Sequence, residues 1–392
     1  MNHATRLTGS VVACLLVFIA GWRTGGAAAG NRSEAVAAHA DKPETKIANT
    51  WDPKAAADYL DRRQAWWMEW PRAQRDHETF CVSCHTSVPY ALSRSTLRTA
   101  LAEQAPSPNE RRLLDSVTKR VRLWKEIEPF YKDADRGPYK SVESRGTESV
   151  LNALILSSRD ARSDQLSNDA RTAFENMWAE QQIAGKQKGA WLWLRFNNEP
   201  WEANDSDYFG ATLAAVAVGM APGNYRATPE VQTSLKLLEE YLNREFPVQT
   251  SINRVLLLWA AAKLPGLLEP DRQRAIIGEL LEKQQDDGGW SLSSLSGEWK
   301  RADGTSQATT SDGYATGLIT LVLQRAGISS ENAKLKRGLA WLTANQDKKE
   351  GSWAAYSLNK SKENHISPET ALFMNDAATS YAVLSLTAAS RR

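Results

Sequence analysis

Two of the three cysteines in this 392-residue chain sit in one pentapeptide, Cys81-Val82-Ser83-Cys84-His85. The third, Cys14, lies in an apolar N-terminal stretch. Cys-x-x-Cys-His is the attachment pattern of c-type haem: two thiols add to the vinyl groups and the histidine binds the iron. Two intervening residues let both sulfurs reach one edge of the macrocycle, and the adjacent imidazole then lies under the iron. Cys81 and Cys84 are therefore the expected haem anchors, and His85 the expected iron ligand. The same residues admit other chemistry. With His77 as a fourth ligand they would make a zinc site. A thiol–disulfide couple is the third option, although thioredoxin-like pairs sit in a βαβ setting that this sequence lacks.

The N-terminus bears on that choice. Residues 1–29 read as an export signal: Arg6 gives a positive start, Val11 to Ala20 an apolar core, and Ala27-Ala28-Ala29 a small-residue cleavage site. The apolar run is short for a membrane span. Val11-Val12-Ala13-Cys14 faintly resembles a lipoprotein box, so membrane association is expected only if this segment is retained or lipidated. The expected location is periplasmic or otherwise exported, where covalent haem is normally attached. Residues 30–50 are rich in Ala, Lys and Glu without apolar period, and read as a disordered linker. The formal charge of +2 falls to about zero once Arg6 and Arg23 leave, which gives no reason to expect a nucleic-acid partner.

From Trp51 onward the pattern is helical, and the breaks carry Gly, Pro, Asn and Asp. Three segments end alike: Gln285-Asp286-Asp287-Gly288-Gly289-Trp290, Gln346 to Gly351-Ser352-Trp353, and Gln182 to Gly189-Ala190-Trp191. Each follows an amphipathic helix and precedes a polar loop and a helix rich in small residues. Those second helices open on polar residues that suit N-caps: Thr86-Ser87, Asp205-Ser206-Asp207, Thr310-Ser311-Asp312 and Thr379-Ser380. Six pairs result. The first helices fall near 52–69, 108–131, 163–183, 229–245, 269–286 and 330–346, and the second near 86–103, 145–159, 206–220, 249–263, 310–326 and 374–389. Alternating character places the small, apolar helices inside and the charged ones outside. The expected fold is all-α, an (α/α)6 toroid of six helical hairpins in two concentric layers over residues 51–392. Sequence alone does not separate a closed ring from an open solenoid.

The Gln-x-x-x-Gly-x-Trp-like endings at Trp290 and Trp353, and more weakly at Trp191, resemble the prenyltransferase/squalene-cyclase repeat superfamily across roughly residues 51–390. That resemblance implies an (α/α)6 barrel with inner-helix N-termini facing a central cavity. Its class II cyclases use an Asp-x-Asp-Asp acid. The nearest match here is Asp205-Ser206-Asp207-Tyr208, where Tyr208 replaces the last Asp. Asp205 and Asp207 are thus candidate catalytic acids, since neighbouring carboxylates raise one another's pKa. Alternatively they cap a helix. The prenyltransferase branch binds zinc with Asp, Cys and His in a late repeat, unlike the placement of Cys81 to His85 in the first.

If six hairpins close, the sixth lies beside the first. Met374 or His365 then becomes a candidate sixth haem ligand, with His77 and Met68 as local rivals. Methionine would raise the potential relative to a second histidine; in the alternative, Met374 fills the core. Trp66, Trp67 and Trp70 either wall in a porphyrin or pack helix ends, while Trp290, Trp341 and Trp353 are expected to pack. The leading functional reading is an exported c-type haem protein doing electron transfer with a redox partner protein, or redox chemistry on a cavity ligand. The second is a terpenoid cyclase or prenyltransferase-like enzyme. The third is a non-catalytic module binding a hydrophobic or glycan ligand; toroids also host glycan-cleaving enzymes, for which Asp205, Asp207, Asp312 and Asp376 would supply carboxylates.

Overall fold

A computed structural model describes residues 50–127, 137–297, 299–301, 304–358 and 370–390. All of them belong to the unit Ala48–Arg392. The signal, the linker up to residue 49, Cys14 and His365 lie outside the described residues. Helices dominate: α1 (Pro53–Glu69), α2 (Ser87–Ala100), α3 (Pro108–Arg122), α4 (Gly137–Asp160), α5 (Asn168–Ala179), α6 (Ser206–Met220), α7 (Pro229–Glu245), α8 (Ser251–Lys263), α9 (Pro270–Glu282), α10 (Gly313–Arg325), α11 (Ala333–Ala344) and α12 (Phe373–Ala389). A two-stranded antiparallel ribbon, β1 (Gln74–Arg75) and β2 (Thr79–Phe80), is the one sheet among the described residues. No described helix is long and apolar enough to cross a membrane.

The two helix sets differ in burial. α6, α10 and α12 are buried nearly all round, as their Ala, Gly, Leu and Thr content requires. α9 buries only Ile276 and Leu280, and α11 only Leu335, Gly338 and Leu342. The even-numbered helices touch in order from α2 to α12, and α12 packs back on α2. Small residues set these approaches: a Cβ on Gly317 of α10 would stand 2.8 Å from the Ala382 nitrogen of α12. Helix starts are encoded locally. Asp52 caps α1, Asp312 caps α10, and Ser107 with Glu110 forms a capping box on α3. α4 begins earlier than its expected start near 145, and α3 stops at Arg122, short of 131.

The repeated turns after α5, α9 and α11 each reach another odd-numbered helix. Gln284 Nε2 donates to Gly288 O (2.8 Å) and Lys334 O (2.7 Å). Gln181 Nε2 reaches Gly189 O (3.1 Å) and Ser234 O (3.0 Å). Gln346 Nε2 reaches Gly351 O (3.1 Å) and Asp52 O (2.9 Å), while its Oε1 accepts from Asp52 N (2.6 Å). The last turn is thereby tied to the first helix. In two turns the bridging glutamine is one residue before Gln182 and Gln285, which the sequence pattern singled out. The turn tryptophans pack inward and donate to the helix they follow: Trp191 to Met177 O, Trp290 to Leu280 O and Trp353 to Leu342 O. Gly351 has φ +84°, and a Cβ there would collide with Ala55 O.

Candidate haem-attachment site

The segment after α1 folds back on that helix. Cys81 N donates to Ala73 O (2.7 Å), and Trp67 Nε1 of α1 donates to Cys81 O (2.7 Å). α2 then starts in a way the sequence did not suggest. Ser83 Oγ, rather than Thr86, accepts the free N–H groups of Thr86 (3.3 Å) and Ser87 (3.0 Å). Thr86 makes no capping bond. Its hydroxyl is released for a different task, contacting His85 Nδ1 (2.9 Å) and donating to Asp376 Oδ2 of α12 (2.7 Å).

Asp376 is buried and held on all sides. Arg63 of α1 donates to Oδ1 (2.7 Å) and Oδ2 (3.0 Å), and Tyr59 OH donates to Oδ1 (2.8 Å). Burial raises its pKa, and Arg63, Thr86 and Tyr59 pull the other way. His85 is pushed down to about 3, first by burial and then by the Arg63 charge, so the imidazole is neutral at working pH. Among the described residues Nε2 has no hydrogen-bond partner. Phe373 of α12 stacks on the imidazole (centroids 3.6 Å apart, planes at 21°), while Trp67 and Trp201 meet it edge-on at 5.0 and 5.6 Å. Trp66 and Trp70 stack alongside. Phe373 covers a ring face, whereas Nε2 points outward in the ring plane.

Cys81 and Cys84 are free thiols, half-buried and buried respectively. Burial raises both pKa values. Haem iron takes four ligands from its macrocycle, so one protein imidazole and two thiols suffice. Zinc needs four side-chain donors. No group of three or more His, Cys, Asp or Glu side chains able to hold a metal occurs among the described residues. His77, the expected fourth zinc ligand, sits in the ribbon turn beside Asp76 with φ +55°. A further fit lies in Trp201, whose Nε1 is buried without a partner beside the imidazole. A buried donor left open in this way suits a group that brings its own acceptor.

The carboxylate candidates lie in another loop. Asp207 Oδ2 accepts from Gln187 (2.6 Å) and Arg195 (2.6 Å), and Oδ1 is buried without a partner. Asp205 stands at the N-cap of α6 but makes no capping bond. Burial raises the pKa of both. Asp312 serves structure, its carboxyl accepting from Ala315 N and Leu292 N. Met374 is buried next to Phe373, and Met68 is buried in α1.

No protein-family model matches this chain, and neither does any curated protein. The geometry therefore carries the functional argument. Sequence reading missed Thr86, Phe373, Arg63 and Tyr59 as partners of the motif. It also missed Glu202, a half-buried carboxyl raised to about 7 by burial and close enough to raise the Cys84 pKa by its charge. Asp376 was visible only as a spare carboxylate; its tie to Thr86 spans 290 residues.

Proposed function

We propose that this is an exported c-type haem protein on an (α/α)6 toroid of two concentric layers, similar to the prenyltransferase/squalene-cyclase repeat proteins. It transfers electrons to a partner protein or performs redox chemistry on a hydrophobic or glycan ligand in the central cavity. One observation carries the haem reading: two free thiols lie within four residues of a buried imidazole that Phe373, Trp67 and Trp201 surround and whose Nε2 is unpartnered. Cys81 and Cys84 would hold the macrocycle by thioethers, and His85 the iron. When bound, haem supplies a one-electron couple. Phe373, Trp67 and Trp201 keep water from the imidazole, and Met374 would be the candidate second protein ligand of the iron. The toroid reading is supported by α12 packing on α2 and by the Gln346–Asp52 tie.

Expression with haem-maturation machinery tests this reading. Haem should stay with the denatured chain through acidified organic extraction, and the Cys81→Ala/Cys84→Ala variant should release it. A colourless wild-type protein under those conditions overturns the proposal.

A further inference from the structure

We infer that Thr86 and Asp376 are positioning residues that lock His85 as its Nδ1–H tautomer with Nε2 open, and that α12 thereby sets the donor strength of the first hairpin's imidazole. The inference about donor strength rests on the haem reading; the tautomer does not.

The direction of each hydrogen bond decides the tautomer. Arg63 contacts both oxygens of Asp376, at 2.7 and 3.0 Å, with both side chains buried. A guanidinium keeps its proton, so a neutral Asp376 would leave a buried charge unpaired. Asp376 is therefore a carboxylate and only accepts. Thr86 has one hydroxyl proton, and Asp376 Oδ2 at 2.7 Å takes it. The Thr86 hydroxyl oxygen, Oγ1, lies 2.9 Å from His85 Nδ1 and has only lone pairs left to offer it. His85 must then donate from Nδ1. A charged imidazole would leave a second N–H unpaired among the rings of Phe373, Trp67 and Trp201, so the ring carries one N–H and Nε2 keeps its lone pair.

Free imidazole side chains favour the other tautomer, so this one is imposed. The placement of Ser83 permits it, since Ser83 caps α2 and leaves Thr86 unused. A carboxylate that pulls, through one hydroxyl, on the far N–H of a metal-binding imidazole makes its ligand nitrogen more basic. Arg63 and Tyr59 share the charge of Asp376 and limit that pull. The control comes from helices far apart in sequence: α12 supplies Asp376, α1 supplies Arg63 and Tyr59.

The test uses the full chain in two states. In haem-free protein labelled with 15N-histidine, His85 should show a protonated Nδ1 and a bare Nε2. Thr86→Val, which keeps the shape and removes the hydroxyl, should lose that preference, and Thr86→Ser should retain it. Circular dichroism verifies that each variant is folded. A protonated Nε2 in the wild type, or an unchanged His85 tautomer in folded Thr86→Val, overturns the inference. In the haem-loaded protein Thr86→Val should raise the reduction potential, because a weaker donor stabilises the ferric iron less, and Thr86→Ser should restore it. An unchanged potential in Thr86→Val overturns the donor-strength part. Failure to load haem in the wild type is a failure of the functional reading, and the tautomer measurement still stands on its own.

Discussion

Replacing Gln346 by alanine cuts the tie between the last turn and the first helix. The side chain is nearly buried, and three bonds to backbone are lost, to Asp52 O (2.9 Å), to Gly351 O (3.1 Å) and from Asp52 N (2.6 Å), besides a longer one from the exposed Lys348 Nζ (3.3 Å). At about 1 kcal/mol net for each hydrogen bond the loss is roughly 3 kcal/mol. Exposure of Asp52 lets water repay part of it, so about 2–3 kcal/mol is expected. Gln284→Ala is the control. It loses two bonds of the same kind, to Gly288 O and Lys334 O, and should cost about 2 kcal/mol. Urea denaturation gives both values. Hydrogen exchange then separates them: Gln346→Ala should speed exchange at the starts of α1 and α12, and Gln284→Ala in α9 and α11. The reasoning is refuted if Gln346→Ala costs less than about 0.5 kcal/mol, or if both variants raise exchange in the same helices.

Three further outcomes are expected. Gly351→Ala, forced to φ +84° and into Ala55 O, should destabilise by at least about 2 kcal/mol in the same denaturation assay. Arg120→Leu strips the buried Glu148 carboxylate of its ion pair and should cost about 3–5 kcal/mol, with a matching fall in melting temperature. Glu202 titrates near 7 in the folded chain against an ordinary value near 4.5, so the folded state binds more protons between those values. Stability should fall as pH rises through that window and level off above it. Glu202→Gln should flatten the part of the slope due to this residue, by up to roughly 3 kcal/mol across the window; an unchanged slope contradicts the assignment.

Much of the helical order was legible because turns and helices carry local signals. Pro at the starts of α1, α3, α7 and α9, polar caps, and Gly before each turn Trp are read one segment at a time. The glutamine register was not legible. Gln181-Gln182 and Gln284-Gln285 are doublets, and which member faces the next helix depends on how that helix docks. The motif itself was plain, since its chemistry lies in five consecutive residues. Its surroundings were not. Thr86 looked like a cap because Ser83, three residues earlier, was not seen to cap in its place. Asp376 and Phe373 reach the motif only through the packing of α12 on α2, which no local pattern encodes. At the start of α12 Phe373 lies on the imidazole face, while Met374 is buried one residue further along.

The central claim is that Cys81, Cys84 and His85 hold haem covalently. A pyridine haemochrome spectrum of the protein, expressed in the periplasm alongside haem-maturation machinery, tests it most directly. The account predicts one haem per chain, with the α band of a macrocycle whose vinyl groups have been consumed by thioether formation. A protein that gives no haemochrome, or one that carries stoichiometric zinc on the same cysteines, contradicts it.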